Sequence, residues 1–466
     1  METSRSFKSV RGEPWFLSML CLALIPVFPE YYGAPFLCVA ALFFALKDTG
    51  RPFLRHHIPL TGQFILLYIA YMAIGLFYSF DLGSTMLTIG FWITAFMAYM
   101  AFMLVVTSRE RLEWMLFLLA LAAGLVGFIA IVQRLLGVYT NLPVNMQFFS
   151  FLDGFLKEIT GLPFNLKNHG NRASSTFANP NVLAEYLVMA LPFLLYASLK
   201  TKDLVWRRWI RISLILAVFG LFFSYSRGGY IAAIVVFLVY LIYYRKFYQT
   251  LLFICVASLI IVPSSVVRRL FSISQASGVV SEMLSDDFTF EDGISDDLGE
   301  SILEDGSQDT YVERMDVLLV GLQIFTEKPL WGVGAGMFTT WEVYLDRNIN
   351  VPHAHNLIIQ LLLEGGVLSL LLMLAAGGTL LVKGCNLLRK QKKDTLLGVA
   401  VIAFFCGFVA SGLFDFPLLS PKLVSFFMVV LALCDTAYSL YVPHRHYSMF
   451  SHLKQWLICK TEHFVK

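Results

Sequence analysis

The sequence predicts an all-α, polytopic integral membrane protein, and three observations support that fold class. Hydrophobic residues fill 58% of the 466 positions and charged residues only 14%, whereas soluble domains are roughly 45–50% apolar. The mean hydropathy is correspondingly high, at +0.70. Apolar runs that approach or reach the ~20 residues needed to cross a bilayer recur along almost the entire chain. Lysine and arginine, finally, cluster between these runs, as they do in membrane proteins with short cytoplasmic loops.

The apolar runs predict about twelve transmembrane helices in one polytopic domain, residues 1–466. The first two runs are short, and the prolines at 26, 29 and 35 favour a helical hairpin there over one long span. The N-terminal helices occupy residues 14–136. In chain order, the runs cover residues 14–28, 35–46, 60–80, 85–106, 114–136, 181–199, 209–224, 228–244, 249–265, 355–382, 396–414 and 422–441.

The basic clusters predict the orientation in the membrane, because short cytoplasmic loops accumulate lysine and arginine. With twelve spans and a cytoplasmic N-terminus, every cluster falls in the cytoplasm, and so does the C-terminal tail. Residues 137–180 and a large loop, residues 266–354, then lie outside. No cleavable signal peptide is evident, because the first span lacks a convincing cleavage site and runs on into further spans. The clusters are Arg5/Lys8/Arg11, Lys47/Arg51/Arg55, Arg109/Arg111, Lys200/Lys202/Arg207/Arg208/Arg211, Arg245/Lys246 and Lys383/Arg389/Lys390/Lys392/Lys393.

The cysteines and the known ligand-binding motifs narrow the functional classes. All seven cysteines lie in apolar spans, at their ends or in the predicted cytoplasmic tail, so no disulfide framework is expected. None has the spacing of a zinc site, and no phosphate-binding loop or dinucleotide fingerprint occurs. We therefore expect no metal, no cofactor and no nucleic-acid partner.

Polar motifs lie at the predicted outer helix ends, namely NHGNRASSTFANPN (168–181), SYSRGG (224–229), YVERMD (311–316), PHAHN (352–356) and FDFPLLSPK (414–422). Guanidinium groups match phosphate oxygens bidentately, and an imidazole can accept a hydroxyl proton. Together, these residue types predict a site for a diphosphate and for a group that titrates near neutrality. The candidate residues on this face are Arg172, Asn179, Asn181, Arg227, Arg314, His353, His355, Asn356 and Asp415.

Each candidate also has a purely structural explanation. Arg227 could reach lipid phosphates from the interface, and Arg314 could pair with a neighbouring carboxylate on a surface helix. His355 could cap the helix that follows it, and Asn179 could be an ordinary N-cap. Arg227 nevertheless lies in a turn of only a few residues between two apolar spans, where an unpaired charge is costly and a functional role is the default hypothesis.

Two stretches of the predicted outer segments carry apolar residues at helical spacing, which predicts helices lying flat on the outer interface. One runs from Phe148 to Ile159 and the other from Met315 to Phe325. Between the second stretch and the histidines, WGVGAGMF (331–338) is glycine-rich. Its glycines permit either close approach of a sugar or a tight bend, and the bend is the favoured interpretation.

Three blocks in this order resemble the O-antigen ligase and polymerase superfamily of bacterial envelope proteins. They are SYSRGGYIAAIVVFLVYL, then ERMDVLLVGLQIFTEKPLWGVGAGMF in the large loop, then HAHNLIIQLLLEGGVLSLL. As in those ligases, the His-Asn pair His355-Asn356 is followed after nine residues by glycine. Ser369 stands three positions further on, where the ligases usually have glycine, threonine or tyrosine. The resemblance covers residues 168–440, approximately.

The resemblance implies a metal-independent, inverting glycosyltransferase of the membrane-embedded C type in the bacterial cytoplasmic (inner) membrane. Such an enzyme moves a glycan from undecaprenyl diphosphate to an acceptor hydroxyl on the outer leaflet. Carried over to this sequence, Arg227 and Arg314 bind the diphosphate and His355 is the general base. The remaining candidates would contact the substrates, with Arg172 as a third phosphate or sugar contact.

Two other classes compete with this prediction, namely a solute transporter, such as a bicarbonate transporter, and a noncatalytic envelope scaffold. A transporter is expected to carry charges near the middle of its spans and to interrupt paired helices there, whereas the charges here gather at the outer helix ends. A scaffold leaves the arginines and histidines unexplained. The acceptor stays open, because lipid A core, a growing polysaccharide and a protein all offer hydroxyl groups.

Overall fold

The computed structural model describes residues 12–50, 58–139, 172–243, 309–390 and 395–442, and these residues form an all-helical bundle. In chain order the helices are α1 (Pro14–Leu24), α2 (Gly33–Thr49), α3 (Leu60–Ile74), α4 (Leu82–Val105), α5 (Arg109–Tyr139), α6 (Pro180–Lys200), α7 (Leu204–Phe223), α8 (Arg227–Tyr243), α9 (Asp309–Glu327), α10 (Met337–Leu345), α11 (Leu357–Lys390), α12 (Thr395–Gly412) and α13 (Pro421–Tyr441).

Within the described ranges, seven helices are long and apolar enough to cross a membrane: α3 with its 3-10 extension, α4, α5, α6, α11, α12 and α13. Helices α1 and α8 are apolar but shorter. The polytopic, all-helical fold class is therefore confirmed. The predicted run 249–265 and the predicted amphipathic helix from Phe148 to Ile159 lie outside the described residues, and the total of twelve spans stays a prediction.

Local sequence signals are visible in the helical hairpin and at a helix end. The first two runs form the predicted hairpin, in which Ser18 Oγ on α1 donates to Ala41 O on α2 at 2.8 Å. Asp203 caps α7, and its carboxylate accepts from the Val205 and Trp206 amides. Helices α6 and α13 lie at the centre of the bundle, since 89% and 83% of the residues in their apolar 18-residue stretches are buried.

Helix α11 departs from the uninterrupted apolar run that the sequence presents. Its backbone leaves helical geometry at Gly365 and Gly366, where Gly366 has φ +64°. The glycine-rich turn packs into this break, so that the Val333 amide donates to Leu363 O at 2.7 Å and the Gly334 amide to Glu364 O at 3.1 Å. A Cβ on Gly366 would lie 2.4 Å from the Leu330 backbone. The glycines therefore make a bend, as favoured. The break divides α11 into a short segment before Gly365, which we call the outer segment after its predicted side of the membrane, and a long segment after Gly366.

One ion pair is an exception to the expectation that charges gather at the outer helix ends, and its lysine, Lys383, lies in a helix and not in the predicted cytoplasmic loop. Lys383 lies within α11 and pairs with the buried carboxylate of Asp435 on α13. Thr61 donates to Asp435 Oδ1 at 3.0 Å, and Tyr99 donates to Oδ2 at 2.6 Å. Burial of the Asp435 carboxylate alone would cost several kcal/mol. This cost is offset because the carboxylate pairs with Lys383 and accepts hydrogen bonds from Thr61 and Tyr99.

Helix α9 coincides with the stretch from Met315 to Phe325, but its protein-facing side differs from the predicted stripe. Val317 and Ile324 are fully buried, in a cluster with Val333, Tyr344 and Leu363. Leu319 and Leu322, which belong to the predicted stripe, remain 49% and 42% exposed. The helix thus has apolar residues on two sides, and its flat orientation at the outer interface stays a prediction.

Candidate functional site

The candidate residues meet at one end of the bundle. Helices α6, α8 and α11 begin there, and α7 and α12 end there. The turn between α12 and α13 carries Asp415, and the segment before α11 carries both histidines. Backbone and side-chain contacts join these loops, because Ala173 N donates to Phe223 O at 2.9 Å and Asn356 Nδ2 donates to Leu413 O at 3.2 Å.

Asp415 is the centre of the site. Its Oδ1 lies 3.0 Å from His353 Nε2 and 3.2 Å from His355 Nδ1, and it also accepts from the Phe416 amide at 2.9 Å. Its Oδ2 accepts from Asn181 Nδ2 at 3.1 Å. The carboxylate therefore joins the histidines, 62 and 60 residues before it, to Asn181 in the first turn of α6, 234 residues before it.

The protonation states follow from these contacts. Burial would raise the pKa of the Asp415 carboxyl, but hydrogen bonds from His353 and His355 outweigh burial and hold that pKa below its usual range. Burial lowers the pKa of His353, and the charge of Arg314 adds to that lowering, although the Asp415 contact opposes it. The arrangement near neutral pH is therefore an ionised carboxylate beside a neutral His353 imidazole.

The two histidines differ in what their second ring nitrogen can reach. An ionised carboxylate only accepts, so His353 donates through Nε2–H and His355 through Nδ1–H. The lone pair of a neutral His353 then sits on Nδ1, which is buried and finds no hydrogen-bond partner among the described residues. The His355 side chain is 26% exposed, against 8% for His353, so His355 Nε2 is the better placed of the two to meet a substrate.

Three arginines precede or begin helices of the site, namely Arg172 before α6, Arg227 on α8 and Arg314 on α9. Arg172 donates to Asn181 Oδ1 at 2.6 Å and to Ser224 O at 3.0 Å. Arg314, near the start of α9, is close enough to His353 for its charge to lower the histidine pKa. Arg227 is the first residue of α8, and the next residue, Gly228, is packed so closely on Phe414 that a Cβ there would lie 2.7 Å from it. All three predicted arginines thus lie at this end of the bundle.

Two of the predicted substrate-binding asparagines have structural roles. Asn179 Oδ1 accepts from the Asn181 amide at 2.6 Å and caps α6. Asn356 Oδ1 accepts from the Ile358 and Ile359 amides at 3.0 and 3.2 Å, so Asn356, rather than His355, provides the capping side chain of α11. A contact between either asparagine and a substrate stays a prediction.

Donor atoms of His353, His355 and Asp415 lie within 4.8 Å of one another, which is close enough for three ligands of one metal ion. The surroundings fit a metal poorly. A metal-bound histidine normally donates its other ring N–H to a protein or water partner, and His353 Nδ1 has none among the described residues. We assign no step of the chemistry to a metal.

Glu185 and Gln360 are site-proximal residues that the sequence did not single out. Glu185 is buried one turn after Asn181 on α6, close enough to interact electrostatically with Asp415. Gln360 is fully buried on the outer segment of α11 and contacts the backbone between the histidines. Helical spacing was the available signal, because Glu185 follows Asn181, and Gln360 follows Asn356, at four positions.

Residues 212–374 match the model of the O-antigen ligase family. The matched stretch contains Arg227, Arg314 and the His355-Asn356 pair. The resemblance to the O-antigen ligase and polymerase superfamily is thereby confirmed. Together with the apolar helices, the match supports a bacterial membrane protein and an enzyme of the ligase or transferase class. No curated protein matches the chain.

Proposed function

We propose that this protein is an inverting glycosyltransferase that transfers a glycan from undecaprenyl diphosphate to an acceptor hydroxyl on the outer face of the bacterial cytoplasmic membrane. The observation that carries the proposal is the Asp415 carboxylate, which contacts both imidazoles at the end of the bundle where Arg172, Arg227 and Arg314 also lie. Displacement of a diphosphate by an alcohol needs a base that accepts the hydroxyl proton and cationic groups that bind the diphosphate.

In the proposed reaction, the acceptor hydroxyl oxygen attacks the anomeric carbon of the donor. His355 Nε2 takes the hydroxyl proton, and Asp415 stabilises the imidazolium through the Nδ1–H hydrogen bond. The bond between the anomeric carbon and the diphosphate oxygen breaks, and its electron pair leaves on undecaprenyl diphosphate. Arg227 and Arg314 offset the charge that develops there, and Arg172 provides a third phosphate or sugar contact. Attack opposite to the leaving group inverts the anomeric configuration.

The proposed placement in the membrane follows the basic clusters. Both termini face the cytoplasm, and the end of the bundle that carries Asp415 faces outward. The exposed Leu319 and Leu322 of α9 then lie where a helix at the outer interface contacts lipid. This arrangement presents the site to an outer-leaflet donor. Lipid A core, polysaccharide and protein remain the acceptor classes to compare, and they correspond to a role in lipopolysaccharide, other polysaccharide or glycoprotein assembly.

Two observations favour a solute transporter as the second candidate, namely the interruption of α11 and the buried Lys383–Asp435 pair. The surrounding protein accounts for both. Backbone amides of the glycine-rich turn and the Tyr71 hydroxyl bond the carbonyls at the interruption. Asp435 is hydrogen-bonded by Thr61 and Tyr99 as well as Lys383. In the part of the chain that the structure describes, the carbonyls of Leu363, Glu364 and Gly365 and the Asp435 carboxylate are therefore paired within the protein. The transferase remains the better supported function.

The test uses purified protein in detergent with an undecaprenyl diphosphate-linked glycan and, separately, each acceptor class. We expect one acceptor to gain the glycan by mass spectrometry, with one free undecaprenyl diphosphate released per transfer and an inverted anomeric centre by NMR. Solute flux in proteoliposomes is measured in parallel. Solute flux without glycan transfer would favour the transporter function over the transferase function. Absence of both activities would favour a noncatalytic role.

A further inference from the structure

The backbone between the two histidines is held by one buried side chain. Gln360, on the outer segment of α11, accepts from the Ala354 amide through Oε1 at 2.9 Å. Its Nε2 donates to Glu364 Oε1 at 2.9 Å. Only the carboxamide oxygen can accept from an amide N–H, so the Ala354 contact fixes which end of the carboxamide faces Glu364.

The histidine turn needs such support because its backbone is strained. His355 has φ +47°, in the left-handed region that a non-glycine residue seldom adopts. Strained residues of this kind persist only where the surroundings hold them in place. Thr340 Oγ1 donates to Pro352 O at 2.8 Å before the turn, and Asn356 caps α11 after it. Gln360 supplies the contact between these two anchors, at Ala354.

Glu364 connects this contact to the glycine-rich turn. Its carboxylate is buried one helical turn beyond Gln360, and the backbone amide of Gly336 faces the same carboxylate. Gly336 precedes the first residue of α10 and has φ +117°. A continuous set of contacts therefore runs from the start of α10 through Glu364 and Gln360 to Ala354. Gln360 forms both side-chain hydrogen bonds in this set, one with Glu364 and one with the Ala354 amide.

We propose that Gln360 and Glu364 are a pair of positioning residues that hold His353 and His355 against Asp415. The pair acts through His355 and makes no contact with the substrates. This proposal rests on the proposed function for its catalytic consequence, whereas its structural consequence, the fixed position of the His355 ring, is measurable without any transfer reaction.

The hydrogen-bond polarity of the pair makes a sharp test possible. In Gln360→Glu, two carboxylates face each other, and in Gln360→Leu both hydrogen bonds are lost. In the exchanged variant Gln360→Glu/Glu364→Gln, the new carboxylate accepts from Ala354 N, and the new carboxamide donates to it. The exchange restores every contact with the same number of atoms. Gln323→Leu, an exposed glutamine on α9, is the matched control.

We expect Gln360→Leu and Gln360→Glu to lower the turnover number by about 10- to 100-fold per folded molecule, the scale of a displaced catalytic group. The KM for the lipid-linked donor should stay within twofold. The exchanged variant should recover at least a third of wild-type turnover, and Gln323→Leu should match wild type. A purely structural role would reduce the yield of folded protein and leave turnover per folded molecule unchanged.

The second measurement is the rate at which diethyl pyrocarbonate modifies His355, followed by peptide mapping. We expect a severalfold change in Gln360→Leu and a return to the wild-type rate in the exchanged variant. Folded Gln360→Leu with wild-type turnover and wild-type His355 reactivity would overturn the positioning role. If wild-type protein transfers no glycan, the proposed function fails while the modification rates still decide whether the pair holds the histidine turn. An exchanged variant no better than Gln360→Glu would also overturn the proposal.

Discussion

Replacement of Asp415 by asparagine removes the charge that both histidines share and leaves the shape of the side chain nearly unchanged. In the wild type, Asp415 Oδ1 lies 3.2 Å from His355 Nδ1, a charge-assisted hydrogen bond that strengthens as the imidazole takes a proton. Such bonds contribute about 1.5–3 kcal/mol. At about 1.4 kcal/mol per factor of ten, Asp415→Asn should lower the transfer rate by roughly 10- to 150-fold.

The assay is transfer from purified lipid-linked donor, normalised to folded protein. Because Asp415 contacts the histidines and Asn181, we expect turnover to fall and the KM for the donor to change little. Asp346→Asn, which removes an exposed carboxylate just after α10, is the matched control and should behave as wild type. Transfer by Asp415→Asn within twofold of wild type would refute the assignment of Asp415 as the residue that orients the base.

The pH dependence of this effect follows from the pKa of Asp415. Hydrogen bonds from the two histidines hold that pKa below its usual range despite burial. A depressed folded-state pKa contributes stability that is present above the unfolded value, about 3.9, and is lost as the pH falls below it. The Asp415 carboxyl should therefore stay ionised between pH 6 and pH 8. Infrared difference spectra of wild type against Asp415→Asn check this expectation, and a protonated-carboxyl band that appears within this window would show that Asp415 titrates there.

Three further predictions concern the rest of the site and the bundle. His355→Ala should lose about 10²-fold or more in turnover while donor binding survives. His353→Ala should lose far less, because the second ring nitrogen of His353 is buried. The reverse order in the same transfer assay would assign the base to His353. Arg227→Ala and Arg314→Ala should each abolish transfer in correctly inserted protein. Arg314→Lys should retain little transfer activity, because an ammonium cannot make the bidentate contact. Wild-type transfer rates in either alanine variant would argue against a role in diphosphate binding. Asp435→Ala should destabilise the bundle by about 3–5 kcal/mol, because it removes the charge that pairs with Lys383 inside the protein. An unchanged melting temperature in detergent would show that the Lys383 ammonium reaches water.

Much of the architecture was predictable because it depends on local composition. The apolar runs marked the helices, and the prolines marked the hairpin between α1 and α2. The polar motifs that precede α6, α8 and α11 had to lie at helix ends, since charged groups avoid the centre of a bilayer. The amphipathic pattern located α9 but did not identify Val317 and Ile324 as the side that packs on the protein, because helical spacing shows which residues are apolar and not which neighbour covers them.

What the sequence alone determined is therefore the membrane class, the positions of most helices and the set of candidate residues at one end of the bundle. The tertiary structure alone decided how those residues pair. Asp415 contacts histidines about 60 residues away. Lys383 lies in α11, not in the predicted loop, and pairs with Asp435. The helical backbone of α11 is interrupted where amides of the glycine-rich turn bond its carbonyls. Each of these contacts depends on which helices are neighbours and on their rotation. Periodicity along one helix carries no information about either, so these pairings emerge only when the helices pack.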